Sequence, residues 1–261
     1  MIAYQNGTPN SLPALVTRPR IVSLVPSLTA LLHNLGCDEE VVGITKFCVH
    51  PTGWLRSKTI VGGTKDIRLQ KVLALQPTLI LANKEENLPE PIQTLGAVVP
   101  VWVTDVVDWQ SNVAMITQVG QLVGKANEVD RLVEQLNLLY SHFSPLQRPV
   151  DALYLIWRNP YMSVGNDTFI HAMLEMMGVQ NICQQSTRYP TVQLDNLPCT
   201  PSVVLLSSEP YPFKEKHIDE IRAALPQANI LLVNGEYFSW YGSKMLEALP
   251  YLQNLVRQLE A

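Results

Sequence analysis

The chain has 261 residues, of which 47% are hydrophobic and only 16% charged, with a formal net charge of −4. An ordinary apolar fraction beside a charge fraction well below the roughly 25% usual for soluble domains excludes intrinsic disorder and a long charged coiled coil. No run of Lys and Arg exceeds a scattered pair, so a nucleic-acid partner is not expected.

In chain order, residues 1–10 are polar, with neither a basic n-region nor an apolar h-region, so no secretory signal is expected. No 18-residue apolar stretch follows, so no membrane span is expected. The corresponding expectation is a cytoplasmic protein with reduced thiols, or a periplasmic one if a leader has been removed. Its four cysteines, Cys37, Cys48, Cys183 and Cys199, form no C-x-x-C pair, which argues against a zinc knuckle or a thioredoxin-type site.

Ile21 to Val25 is a short β-branched run that reads as a buried parallel strand. Leu28, Leu31, Leu32 and Leu35 follow at helical spacing, with Ser27 as the expected N-cap and Gly36 just past the end. Val41–Ile44 is a second strand. A helix carrying Leu69, Val72 and Leu73 stops before Pro77. Leu79–Ala82 and Val98–Thr104 are further strands, the last tolerating Pro100 near its start. Asp108 is expected to cap a helix carrying Val113, Ile116 and Val119. The next helix carries Val129, Leu132, Val133, Leu136 and Tyr140.

A similar order returns after residue 150. Ala152–Trp157 is a strand. Ile170, Met173, Leu174 and Met177 repeat the helical spacing, closed by Gly178. Val203–Ser207 and Ile230–Val233 are strands. A last amphipathic helix begins near Ser243 and is expected to break or kink at Pro250. Helix–strand alternation implies mainly parallel sheets, and two passes through one order imply two related α/β lobes. The expected boundaries are 18–122 for the N-terminal lobe, 123–145 for a connecting helix and 146–261 for the C-terminal lobe.

In open parallel sheets, ligands bind outside the carboxyl ends of strands. The unusual residues fall there. Lys46, Phe47, Cys48 and His50 follow the second strand, and Lys84, Glu85 and Glu86 follow the third. Trp157, Arg158 and Tyr161 follow the first strand of the second lobe. Glu209 and Tyr211 follow the next strand. Glu236, Phe238, Trp240 and Tyr241 follow the last, and Arg188 and Tyr189 lie in a further loop. Aromatic residues beside prolines predict a stiff, flat-walled pocket for a large planar ligand. Arg158, Arg188, Lys46 and Lys84 are the candidate partners for its carboxylates or phosphates.

Cys48 and His50, two apart in one loop, are of metal-ligand type, but two ligands make no complete site. A buried thiol and a satisfied histidine is the stronger reading. His171 and His217 read as structural, His33 and His142 carry no signal, and Glu85 with Glu86 reads as a solvated pair. Gly62-Gly63 lacks the rest of a dinucleotide or P-loop fingerprint. No nucleophile motif appears, so the chain is not expected to be an enzyme.

Arg20-Ile-Val-Ser-Leu-Val-Pro-Ser-Leu-Thr-Ala-Leu-Leu, then Leu35-Gly36 and Val41-Val-Gly-Ile-Thr45, resembles the opening of the substrate-binding proteins of ABC importers for vitamin B12, haem and iron siderophores, the helical-backbone metal receptor superfamily. Leu73-Ala-Leu-Gln-Pro-Thr-Leu-Ile-Leu-Ala82 and Met162-Ser-Val-Gly165 through Met177-Gly-Val-Gln-Asn-Ile182 resemble later elements of that family. The resemblance runs from about Arg20 to Leu259 and is nearest to the vitamin B12-binding branch. It implies a class III periplasmic-binding-protein-like fold of two α/β lobes joined by a long helix, with ligand in the cleft. It further implies that Phe47, Tyr189, Glu236 and Phe238 occupy ligand positions, while Thr64 replaces a tryptophan. At the positions where importers dock their permease, this chain has Gln70 and Asp195, and Ala30 replaces a usual glutamate, so a permease partner is not favoured.

The expected function is therefore non-catalytic binding of a corrinoid or another metal chelate, haem or a ferric siderophore, as ligand rather than as a required cofactor. An importer component and a metal-handling enzyme using Cys48 and His50 are the alternatives.

Overall fold

The computed structural model describes residues 2–4 and 19–260. Most of the polar N-terminal tail, and the expected boundary at residue 18, lie outside the described residues. Within the tail, Ile2–Tyr4 is a strand that the sequence reading did not anticipate.

The chain divides into two compact units, Met1–Val106 with Gln110–Leu136 and Tyr241–Lys244, and Val107–Trp109 with Asn137–Trp240 and Met245–Ala261. The elements are β1 (Ile2–Tyr4), β2 (Ile21–Ser23), α1 (Pro26–Asn34), β3 (Val41–Ile44), α2 (Trp54–Ser57), β4 (Thr59–Ile60), α3 (Leu69–Ala74), β5 (Leu79–Asn83), α4 (Pro89–Gly96), β6 (Val101–Thr104), α5 (Trp109–Val123) and α6 (Ala126–Ser141). They continue as β7 (Val150–Leu155), α7 (Phe169–Met176), β8 (Val179–Asn181), β9 (Val203–Ser207), α8 (Lys216–Ala224), β10 (Asn229–Val233), α9 (Glu236–Ser239), a 3-10 turn at Gly242–Lys244 and α10 (Met245–Glu260).

The first unit holds a six-stranded sheet in the order β1-β6-β5-β2-β3-β4, and the second a four-stranded sheet in the order β10-β9-β7-β8. Every strand pairing in both is parallel. The expected α/β class with parallel sheets is what the chain adopts. The run β6-β5-β2-β3 has the same connectivity as β10-β9-β7-β8, so the repeat legible in sequence is a repeat of topology. In each, the first strand is central, the next pairs on one side, and the chain then crosses to the other side.

β2, β5, β6 and β9 are buried at every residue. Parallel strands covered on both faces need such unbroken apolar runs. Val22, Val72, Ile80, Leu95 and Val101 belong to one core and Leu153, Leu155, Val204, Leu206 and Ile221 to another.

Three local expectations change. α1 starts at Pro26, with Val25 extended at the N-cap and no side-chain cap, so Ser27 is inside the helix. Proline has no N–H to satisfy at the first helical position and its fixed φ suits a helix start, so the helix begins one residue before Ser27. β6 starts after Pro100, where proline ends the possibility of a ladder donor. Pro250 lies inside a continuous α10. Leu249, Leu252, Leu255 and Val256 are buried around it, and that packing outweighs the lost hydrogen bond. Among the described residues, no helix is long and apolar enough to cross a membrane.

One glycine is fixed by both backbone and space. Gly62 has φ +118°, bridges Ile67, and leaves 2.1 Å between an added Cβ and the Asp66 carbonyl oxygen. Gly62→Ala is expected to lower unfolding free energy by about 2 kcal/mol or more, seen as a lower midpoint in chemical denaturation. An unchanged midpoint would refute this account of the turn.

Candidate functional site

Strand order reverses between β5 and β2 in the first unit and between β9 and β7 in the second. The loops leaving the carboxyl ends of these strands are where a parallel sheet presents a ligand site.

In the first unit, the loop after β5 is built on two buried asparagines. Asn83 Nδ2 donates to the Thr104 carbonyl at 3.1 Å, and Asn83 Oδ1 accepts from the Glu85 and Glu86 amides at 2.9 and 3.2 Å. Asn87 Oδ1 accepts from the Asn83 amide at 2.9 Å, and Asn87 Nδ2 donates to the Thr64 carbonyl at 2.8 Å. This network holds Lys84, Glu85, Glu86 and the exposed Leu88 in place. Lys84 Nζ lies 2.6 Å from Asp105 Oδ2, an exposed ion pair.

The loop after β3 is anchored by Cys48. Its Sγ is fully buried, 3.0 Å from Thr29 Oγ1 and 3.2 Å from Thr45 Oγ1, and burial pushes its pKa up. A buried thiol held between two threonine hydroxyls reads as a packing residue. Among the described residues, no group of three or more His, Cys, Asp or Glu side chains could hold a metal ion, and His50 is half-buried. On either side of Cys48 the loop turns outward. Phe47 is 50% exposed and Val49 is exposed, with Lys46 Nζ 5.1 Å from the Phe47 ring centre. Gly63 lies beneath: an added Cβ would stand 3.1 Å from Phe47 Cε2. Thr64 is buried.

In the second unit, Trp157 is 40% exposed and meets Tyr211 edge-on at 5.8 Å between ring centres. Tyr211 packs on Phe213 at 4.8 Å and on the buried His217 at 5.5 Å. The Lys214 amide donates to His217 Nδ1 at 2.8 Å, and Nε2 stands 3.2 Å from the Tyr211 hydroxyl. His217 is thus a support for the aromatic wall. Arg158 grips Glu220 of α8, with Nε 3.1 and 3.0 Å from the two carboxylate oxygens and Nη2 at 2.9 Å. The Tyr161 hydroxyl donates to the same carboxylate. Sequence reading assigned Arg158 to a ligand anion; it is instead paired within the protein.

The segment from Tyr161 to Gly165 is laced to residues 188–192. The Val192 amide donates to the Tyr161 carbonyl at 2.9 Å and the Gly165 amide to the Arg188 carbonyl at 2.7 Å. Arg188 lies over the Tyr189 ring at 5.8 Å. Glu209 Oε1 accepts from Ser239 Oγ at 2.6 Å and from Trp240 Nε1 at 3.0 Å, tying the loop after β9 to α9. Glu236 is half-buried at the start of α9, its amide donating to Asn234 Oδ1 at 3.1 Å.

Three expected aromatic walls are core residues instead. Phe238 is fully buried against Tyr154, with ring centres 5.0 Å apart, and Trp240 and Tyr241 are 8% and 6% exposed. Burial pushes the Tyr241 phenol well above its ordinary range. Phe47 in the first unit and Trp157 in the second keep large exposed faces, with Tyr161, Tyr189 and Tyr211 half-buried. Sequence reasoning missed Asn87 and Glu220. The spacing of Asn83 and Asn87 was the one available signal; Glu220 on a polar helix gave none. A pocket of about 290 Å³ in the second unit, lined by Cys183, Ser186, Thr191, Val192, Asn196 and Leu197, was also unanticipated.

Residues 21–205 match the family model described as periplasmic binding protein. The vitamin B12-binding protein of Yersinia pestis strain Pestoides F is 23% identical over 244 residues, covering 89% of this chain and 84% of that protein. The periplasmic haem-binding protein RhuT of Roseiflexus sp. RS-1, in apo form, has the same fold with a TM-score of 0.77 at 20% identity, over 93% of this chain and 99% of that one. So does the periplasmic vitamin B12-binding protein BtuF of Vibrio cholerae, with a TM-score of 0.72 at 16% identity, over 93% and 98%.

Hydrogen bonds from Arg158 and Tyr161 hold the Glu220 carboxyl below its ordinary range. A depressed folded-state pKa contributes stability that is present above the unfolded carboxyl pKa and lost as pH falls through the folded one. Glu220→Gln is therefore expected to be less stable than wild type near neutral pH, with the difference closing under acid. Urea unfolding followed at neutral and strongly acidic pH would check this. A difference that persists unchanged into acid would rule out the ion pair as its source.

Proposed function

We propose that this chain, which belongs to the periplasmic binding protein family, is a non-catalytic receptor for a large metal-chelate ring of the corrinoid or haem type. The observation that carries the reading is the exposed apolar surface on carboxyl-end loops that are otherwise polar: Phe47, Val49 and Leu88 in the first unit and Trp157 in the second. Large apolar side chains held open beside polar neighbours mark ligand contact. The named relatives that bind vitamin B12 and haem support the same chemistry. Phe47 is the proposed ring contact of the first unit, and Trp157, with Tyr161, Tyr189 and Tyr211, that of the second, each taken by itself.

A role as the substrate-binding component of an importer is a second reading, supported by family membership and by Asp195, an exposed carboxylate at one docking position. Gln70 and Ala30 support a carrier that works without a permease. Fractionation of the native host separates the two, since an importer component must lie outside the cytoplasmic membrane.

Titration with cyanocobalamin and with haemin, followed by absorbance and melting temperature, is expected to give a spectral change and stabilisation with at least one of them. Phe47→Ala and Trp157→Ala are each expected to weaken that binding by about tenfold, the loss of one aromatic contact. Neither ligand altering spectrum or melting temperature would sink the proposal.

A further inference from the structure

The two units share a strand connectivity but not the cover between corresponding strands. In the first, α3 lies between β3 and β5 and puts Val72 into the core. In the second, no helix lies between β8 and β9 among the described residues. An irregular run carries Val192, Leu194 and Leu197 onto the core instead. Such a run lacks the regular rows of side chains with which a helix fills the space over a sheet. A pocket of about 290 Å³ remains there, between residues 182–186, 190–193 and 196–198.

Ile182, Val192 and Leu197 give this pocket apolar walls, with Cys183 among them. Gln185, Ser186, Thr191, Gln193 and Asn196 supply its polar groups, and none of the described residues lining it is charged. Those five side chains make no hydrogen bond among the described residues. The buried Asn83, Asn87 and Asn181 differ, since their amides are committed to the Thr104, Thr64 and Val164 carbonyls. Apolar walls with a few uncommitted polar groups are what a small-molecule site offers, and the volume is at the small end of the roughly 300–1,000 Å³ usual for one. Trp157, Tyr161, Tyr189 and Tyr211 are not in its wall. We infer that this pocket is a second ligand site, for a small uncharged molecule with an apolar body and a carbonyl, amide or hydroxyl group. Amide and hydroxyl side chains offer such a group both donors and acceptors, whereas a carboxylate would leave water and meet no counter-charge. The inference does not rest on the proposed receptor function.

Cys183 reports on the pocket, and the exposed Cys199, outside it, is the internal control. Two probes with one reactive group are compared on the full chain: N-ethylmaleimide, which is uncharged, and N-(2-carboxyethyl)maleimide, which is an anion. In both, the thiolate sulfur bonds to one alkene carbon, and the displaced electron pair takes a proton from water at the other. Burial raises the Cys183 pKa, so labelling is run at mildly alkaline pH and mapped by mass spectrometry of peptides. Cys37 and Cys48, fully buried, are expected to stay unlabelled. At Cys183 the rate with N-ethylmaleimide is expected to saturate with concentration and to exceed that of the anion by at least about tenfold. At Cys199 both rates are expected to rise linearly and to agree within about threefold. Thr191→Trp, which fills the pocket, is expected to slow Cys183 labelling by about tenfold or more without changing Cys199, with a melting curve to show that the variant is folded. A Cys183 rate that is linear in both probes and indifferent to their charge would mean that the thiol is reached by opening of the fold, and would overturn the inference. So would a Cys183 left unlabelled while Cys199 reacts to completion. Either result leaves the receptor function standing.

Discussion

Parallel pairing is the constraint on which the rest of each unit depends. When all strands run the same way, their carboxyl ends emerge along one edge, and the backbone groups that leave the ladder there must find partners. The first unit meets this demand with amide side chains. Asn83 and Asn87 accept from three backbone amides and donate to the Thr104 and Thr64 carbonyls. The second unit uses hydroxyls and one acid: Ser207 donates to the Glu209 carbonyl, Ser208 accepts from the Gly235 amide, and Glu209 receives Ser239 and Trp240. Once the backbone is satisfied by these staples, Phe47, Leu88 and Trp157 are left to face outward.

The ion pairs at the same edges are not explained by stability. Exposed pairs contribute about 0–1 kcal/mol each, and the Lys84 and Arg158 side chains are 56% and 30% exposed. The two pairs differ in geometry. Asp105 meets an ammonium through one oxygen, whereas Glu220 occupies the planar fork of Arg158 with both. The second arrangement leaves the guanidinium less able to swing toward another carboxylate.

Sequence made the scaffold legible where apolar runs were long or glycine closed a helix, as at Leu79–Ala82, Val203–Ser207, Gly36 and Gly178. It failed where elements were short. β8 has three residues and β4 two, too few for any periodicity, and both are specified by pairing with longer neighbours. The candidate loops follow from the rule about strand ends, but the partners of their residues do not. Residue type marked Arg158 and Lys84 as anion receptors, because a cation in a loop carries no sign of its partner. Glu220 is 62 positions from Arg158 and Asp105 is 21 from Lys84. Only the fold brings them together. Likewise, an aromatic at a strand end can line a site or plug a core, and the burial of Phe238, Trp240 and Tyr241 follows from tertiary packing alone.

The same staples bear on how recognition works. An Asp in place of Asn83 or Asn87 would bury a carboxylate and lose the amide donors, so the neutral side chain is the one the site can hold without a desolvation penalty. Glu209 is the exception, and its two donors come from α9, which couples the loop after β9 to the element after β10. Gly235 permits this approach: an added Cβ would stand 2.3 Å from Ser207 Oγ and 2.6 Å from Glu209 Cγ. Loops tied at so many points lose little further freedom when a ligand arrives. Affinity can then come from preformed apolar faces instead of being spent on ordering the chain. A stiff wall also discriminates by shape more sharply than a mobile one, because it cannot reshape itself around an unsuitable ligand.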